Sequence, residues 1–204
     1  MDIDVEVKLQ LDKFFFENVQ SIRQIDAYRI IIGESPYPSL VNRVSPLQNS
    51  IYAKFSAPEI AFLSNSDTLD MYLVLGLIFG SLDIASKVVD FLQVHNINMS
   101  VFAEYLFVKF KVILVNRYDL IGKKRYAHRD NMIKQILARY TNNIILVIGS
   151  KKTKYIRGIV QQRNCLNVMH CSTSAYSKNC LLWCNTYLKR TIGKPTITIK
   201  DFAI

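Results

Sequence analysis

The segment Gly33-Glu34-Ser35-Pro36-Tyr37-Pro38 sets a carboxylate, a hydroxyl and an aromatic ring just after a glycine, at the end of the apolar run Tyr28-Arg29-Ile30-Ile31-Ile32. Two prolines stiffen the segment, and the glycine permits a sharp exit from the run. Glu34 and Tyr37 are then held where a strand ends, which is where open α/β sheets bind ligands. Three more apolar runs end in chemistry-bearing residues. Asn116 follows Lys111-Val112-Ile113-Leu114-Val115, Gly149-Ser150-Lys151-Lys152 follows Ile144 to Ile148, and His170 follows Cys165 to Met169. An amide offers a donor and an acceptor together, and an imidazole can donate to developing negative charge. At adjoining strand ends, such groups suit a pocket that reads a nucleic-acid base. Taken one at a time, each has a plainer explanation: an ordinary strand-to-loop turn for the proline segment, a structural role for the histidine.

The elements that must position these residues alternate between strand and helix. Four strands are expected at Tyr28 to Ile32, Lys111 to Val115, Ile144 to Ile148 and Cys165 to Met169. Ser56-Ala57-Pro58-Glu59 has the Ser-x-x-Glu form of a capping box, with proline in the first turn, so a helix is expected to start there. Leu69 to Gly80 and Asp83 to Val94 read as helices, the second with Ile84, Val88, Phe91 and Leu92 at helical spacing. Val101 to Phe110 is a further helix candidate. Arg129 to Tyr140 is amphipathic, with Met132, Ile133, Ile136, Leu137 and Tyr140 on one face. A last helix is expected from Lys178 to Arg190, with Gly193 near its end. The expected fold is α/β: a three-layer α/β/α sandwich around a short, mostly parallel, four-stranded central sheet. With no linker, repeat or low-complexity segment in view, residues 1–204 are read as one domain.

Bulk properties narrow the partners. The chain has 204 residues, 26 Lys plus Arg against 16 Asp plus Glu, and a formal charge of +10. Such a balance favours a polyanion, nucleic acid ahead of a membrane surface. The acidic start Met-Asp-Ile-Asp lacks the form of a signal peptide. The longest uncharged run, Met71 to Leu82, is too short to span a bilayer and fits a buried helix. An intracellular protein, cytoplasmic or nuclear, is therefore expected, with no membrane partner. Cys165, Cys171, Cys180 and Cys184 lack the two-plus-two spacing of a zinc site and read as reduced, mostly buried thiols. No metal or other cofactor is expected.

In order and local context these motifs resemble the uracil-DNA glycosylase superfamily, closest to its family-1 branch and the poxvirus relatives. The family's first motif has the form Gly-x-Asp-Pro-Tyr-His, or Pro-Tyr-Pro in poxvirus enzymes; the chain matches at Gly33, Pro36, Tyr37 and Pro38. Val112 to Gly122 is similar to the apolar strand that carries the uracil-reading Asn. Ile144 to Ile156 resembles the following strand and its glycine. His170 to Arg190 is similar to the family's His-Pro-Ser-Pro-Leu-Ser segment and trailing helix. Lys194-Pro195-Thr196-Ile197-Thr198-Ile199 resembles the usual C-terminal ending. The resemblance covers residues 25–204 in order.

It implies an enzyme that flips deoxyuridine out of the DNA stack and hydrolyses its N-glycosidic bond, beginning base excision repair of damaged DNA. Tyr37 corresponds to the ring that crowds uracil C5 and excludes a methyl group. Phe55, in Lys54-Phe55-Ser56, corresponds to the ring that stacks on uracil. Asn116 corresponds to the amide that pairs with the uracil edge, and His170 to the donor that stabilises uracil O2 as the bond breaks. Two departures stand out. The water-orienting Asp is Ser35 here, and Glu34 is the candidate substitute, as in a related branch with a Gly-Glu-Ala-Pro-Gly motif. The family's wedge Leu aligns with Ser174, both prolines of that motif are gone, and Tyr176 could fill the gap left by a flipped base. Ser172 and Ser174 fall in the DNA-contacting segment. Lys151, Lys152, Lys154 and Arg157 form a basic cluster after Gly149, and Lys123, Lys124, Arg125 and Arg129 another after Asn116; both would flank the pocket edge and suit phosphate contact, and both equally suit a solvated face. DNA, single- or double-stranded, is the implied partner, and a replication or processivity protein is a second candidate. The alternative function is a catalytically weak or inactive glycosylase-fold subunit that binds DNA. Activity on another damaged base is a third.

Overall fold

The computed structural model describes residues 3–19, 26–33, 40–57, 59–66, 68–116, 127–148 and 165–168. Their order is α1 (Val5–Asn18), β1 (Tyr28–Gly33), a 3-10 turn (Leu40–Asn42), β2 (Arg43–Val44), α2 (Ile51–Lys54), β3 (Ile60–Ser64), α3 (Leu69–Phe79), α4 (Leu82–Val94), α5 (Met99–Phe110), β4 (Val112–Asn116), α6 (Ala127–Arg139), β5 (Asn143–Ile148) and β6 (Cys165–Val168). The fold is mixed α/β with a parallel sheet. The helix expected from Lys178 lies outside the described residues.

β1 is one of the sheet's two interior strands, with β5 the other. β1 runs parallel to β4, from Arg29 opposite Val112 to Gly33 opposite Asn116. On its other side it runs parallel to β5, from Tyr28 opposite Asn143 to Ile32 opposite Val147. β6 pairs in parallel beyond β5, giving the order β4-β1-β5-β6. Parallel strands are covered on both faces and so read as unbroken apolar runs. Ile30 to Ile32, Val112 to Val115 and Ile145 to Ile148 are all buried. The outer edge of β4 is not left open: Leu114 N–H donates to the buried Tyr52 hydroxyl at 3.3 Å. The chain leaves β1 towards one side of the sheet, for β4, and leaves β5 towards the other, for β6. That reversal puts a topological switch point between the carboxyl ends of β1 and β5, where α/β folds place their ligands.

The capping box at Ser56 does not start a helix. Ser50 is the N-cap, accepting from Ala53 N–H at 3.1 Å, and opens the short α2. Ser56 instead ends that helix in a left-handed conformation, φ 55°. Ala57 N–H closes the turn on Tyr52 O at 2.9 Å. The buried stretch Ile60 to Ser64 is then a strand, β3, not a helix. Glu59 bonds forward across the molecule rather than back to a cap.

α1 was not expected. Asp4 caps it, accepting from Glu6 N–H at 2.8 Å and Val7 N–H at 3.3 Å. Its buried face carries Leu11, Phe14 and Phe15. Phe15 lies among the rings of Phe79, Tyr105 and Phe110, with centroids 5.2–5.6 Å away. Asp12 ties α1 to α5, accepting from Tyr105 Oη at 2.9 Å and Lys109 Nζ at 2.7 Å. No single helix among the described residues is long and apolar enough to cross a membrane; α3 and α4 pass that test only together, bent by 115°. α3 is buried through Leu73 to Phe79, and it packs on α4 so closely that a Cβ at Gly76 would lie 2.6 Å from Leu82 Cδ2.

The Asp12 link makes stability depend on acid. Partial burial works to raise the carboxyl's pKa, but the hydrogen bonds from Lys109 and Tyr105 outweigh it, and the net value lies below the ordinary one. The link therefore contributes fully above the unfolded-state pKa and is lost as pH falls through the lower folded-state value. Asp12→Asn should lower unfolding stability by about 1 kcal/mol at neutral pH, the contact being partly exposed. The gap from the parent chain should close on acidification. Denaturant titrations at neutral and strongly acidic pH measure it; a gap that does not change with pH would refute the linkage.

Candidate functional site

The carboxyl edge of the sheet gathers more than the sequence suggested. Gly33 and Asn116 end adjacent parallel strands in direct register. Asn116 is only 4 % exposed. Its Oδ1 lies so near Gly33 that a Cβ there would be 2.6 Å from the oxygen, and 2.8 Å from Phe62 Cζ. Glycine is needed here for close approach: only its missing side chain lets an amide oxygen and a phenyl ring meet over one α-carbon.

Phe62 reaches that position through a backbone irregularity. β2 pairs antiparallel with β3, Arg43 opposite Ser64 and Val44 opposite Ile60, so the register slips within β3. Phe62 sits in the slipped stretch with φ 62°, the left-handed region that a bulky side chain rarely enters. Bulges commonly re-aim a side chain beside a site. Here the bulge turns the ring towards Gly33 and the end of β1.

Buried polar groups complete the edge. Asn116 Nδ2 donates to Glu59 Oε1 at 3.4 Å. Arg43 Nε lies 3.7 Å from Glu59 Oε2, with the Arg43 side chain 18 % exposed and the Glu59 side chain 6 %. An arginine, a carboxylate and an amide thus run inward in a line and end at Gly33. A carboxylate so enclosed needs such partners, because an unpaired charge is costly to bury.

Of the residues named from the sequence, the structure brings together Gly33 and Asn116. It does not bring Phe55 to them. The Phe55 ring meets Tyr140 edge-on at 6.3 Å, and Tyr140 lies 4.3 Å from Tyr28. Tyr28 begins β1, roughly 16 Å along the strand from Gly33. The ring at the strand edge is Phe62. Glu34, Ser35 and Tyr37 follow Gly33 directly in the chain but lie outside the described residues. So do Lys151, Lys152, Lys154, His170, Ser172, Ser174 and Tyr176. Among the described residues, no group of three His, Cys, Asp or Glu side chains could hold a metal.

Chemically, the edge sets an acceptor and a donor on the Asn116 amide next to the Cζ–Cε2 edge of the Phe62 ring. Those groups fit a flat ligand that hydrogen-bonds along one side. Neither Phe62 nor the Arg43–Glu59 pair was visible as part of a site. The one available signal was an acidic residue, Glu59, just before a wholly apolar run.

Gly33→Ala should test the close approach. The new methyl must displace Asn116 or Phe62, costing about 1–3 kcal/mol of stability. Urea unfolding of the variant reads the loss; a variant as stable as the parent would contradict the crowding at Gly33. Compared with family models, with curated proteins and with solved structures, the chain gives no match in any of the three.

Proposed function

We propose that the chain is a uracil-DNA glycosylase, hydrolysing the N-glycosidic bond of deoxyuridine in DNA, on a three-layer α/β/α fold with a four-stranded central sheet. The observation that carries this reading is the pairing of Gly33 with Asn116 at adjoining strand ends, beside an aromatic ring. The glycine opens the Pro-Tyr-Pro motif and the asparagine ends the apolar strand of the uracil-reading motif, and these are segments far apart in the chain. A charge of +10 supports a phosphate-bearing partner.

In this mechanism the flipped uracil lies over the Phe62 ring, which takes the stacking role that Phe55 is too distant to fill. Asn116 accepts from uracil N3–H and donates to O4. Tyr37 crowds C5, so a methyl group is refused. As the bond between C1′ of the sugar and N1 of the base breaks, its electron pair moves onto the uracil ring. His170 donates to O2 and stabilises that charge. Water attacks C1′, and Glu34 takes its proton, with Ser35 holding the water. The uracil anion then takes up a proton from solvent while Glu34 gives its own up, so the products are free uracil and an abasic sugar.

A second reading is a glycosylase-fold DNA-binding subunit with little catalysis. Ser35 favours it: a hydroxyl can position water but supplies no negative charge beside a cationic sugar.

The purified chain should release uracil from a single-stranded oligonucleotide bearing one deoxyuridine. If abasic product stays at the level of a no-protein control even at stoichiometric protein, the enzyme reading fails. Glu34→Gln should slow release by about a hundredfold or more, and Ser35→Ala by less. Equal, unchanged rates in both would discard the water-handling assignment. Asn116→Asp should erode discrimination between uracil and cytosine, because the acid loses the amide's donor; intact selectivity would remove Asn116 from base reading.

A further inference from the structure

Glu59 and Arg43 lie outside the family motifs, yet they converge on the Asn116 amide at the strand edge. A carboxylate only accepts hydrogen bonds. The end of the Asn116 side chain that meets Glu59 Oε1 must therefore be its NH2, which leaves Oδ1 over Gly33. Arg43, 3.7 Å from the other carboxylate oxygen, holds Glu59 from behind.

We propose that Glu59, held by Arg43, is a positioning residue that sets which way the Asn116 amide points, and so which hydrogen-bond pattern the edge offers a ligand. With Nδ2 tied to Glu59, Oδ1 is presented as an acceptor with the second N–H beside it. That pair complements an edge in which a ring N–H stands next to a carbonyl. Turned over, the same amide complements a ring nitrogen next to an amino group, the edge of cytosine. The consequence for base choice rests on the glycosylase reading above; the orientation of the amide does not.

Glu59→Gln is the discriminating change because it keeps shape and alters donors. Arg43 can only donate, so it draws the new carbonyl to itself and leaves the new NH2 facing Asn116. The Asn116 amide must then turn its oxygen towards position 59. In the 15N-labelled full chain, the Asn116 NH2 pair is identified by its disappearance in Asn116→Asp. That pair should shift and exchange faster with solvent in Glu59→Gln, and change less in Glu59→Asp, which keeps the acceptor. In the oligonucleotide assay, Glu59→Gln should lower uracil release roughly ten- to hundredfold, with Glu59→Asp partly restoring it. Should Glu59→Gln fail to fold, Arg43→Gln carries the same test with a smaller shift of the same pair. An Asn116 pair unmoved by these changes overturns the positioning role. A pair that moves in a protein releasing no uracil upholds that role and defeats the glycosylase reading. Uracil release with an unmoved pair does the reverse.

Discussion

Everything at the strand edge depends on β1 being paired on both sides. An interior parallel strand has little freedom to slip, because a shift would break its backbone hydrogen bonds to two neighbours at once. The register with β4 sets Gly33 beside Asn116, and the register with β5 sets Ile32 beside Val147. The wall of Ile30, Ile31 and Ile32 behind the edge is fully buried, so the sheet forms a rigid floor. The amide is thereby delivered to its place by backbone hydrogen bonds rather than by a loop.

On that floor the less regular features make sense. A left-handed Phe62 costs backbone energy, of order 1–3 kcal/mol, and such a cost persists only where surrounding structure imposes it. Here the slipped pairing with β2 and the buried stretch of β3 impose it, and the ring gains its place over Gly33. The Arg43–Glu59–Asn116 line is similarly demanding. Charged and polar groups held this far from water are weak contributors to stability, but they hold an orientation. Under the proposed base reading, orientation matters more at this edge than stability does.

The sheet was legible because buried parallel strands are continuous apolar runs, and the runs at residues 28, 112 and 144 stand out in any window. The helix read from Asp83 was legible by its helical spacing, as was the amphipathic one read from Arg129, while Leu69 to Gly80 and Val101 to Phe110 stood out as apolar stretches too long for strands and fall on α3 and α5. The misreadings came where local pattern met a longer-range competitor. Ser56 and Glu59 have capping-box spacing, but Ser50 lies better placed to cap α2, and Glu59 is claimed by Asn116, far along the chain. α1 had its signals, an Asp4 cap and Leu11, Phe14 and Phe15 at helical spacing, behind a charged start that hid them. Phe55 suited its motif by neighbouring residues alone, whereas tertiary packing draws it to Tyr140. Phe62 was unreadable in principle: nothing about a phenylalanine in an apolar run announces a left-handed backbone.

One consequence of the β4-β1-β5-β6 order is temporal. Arg29 finds its sheet partners at Val112 and Ile144, so β1 emerges from synthesis long before either neighbour exists. Until then its isoleucines have no parallel partner, and contacts so distant in sequence are slow to form. Gly33 and Asn116 cannot meet before β4 is made, and the floor beneath them is not closed before β5. The strand that carries Gly33 is thus among the last to find its place, and the edge where it meets Asn116 is completed late in the life of the nascent chain.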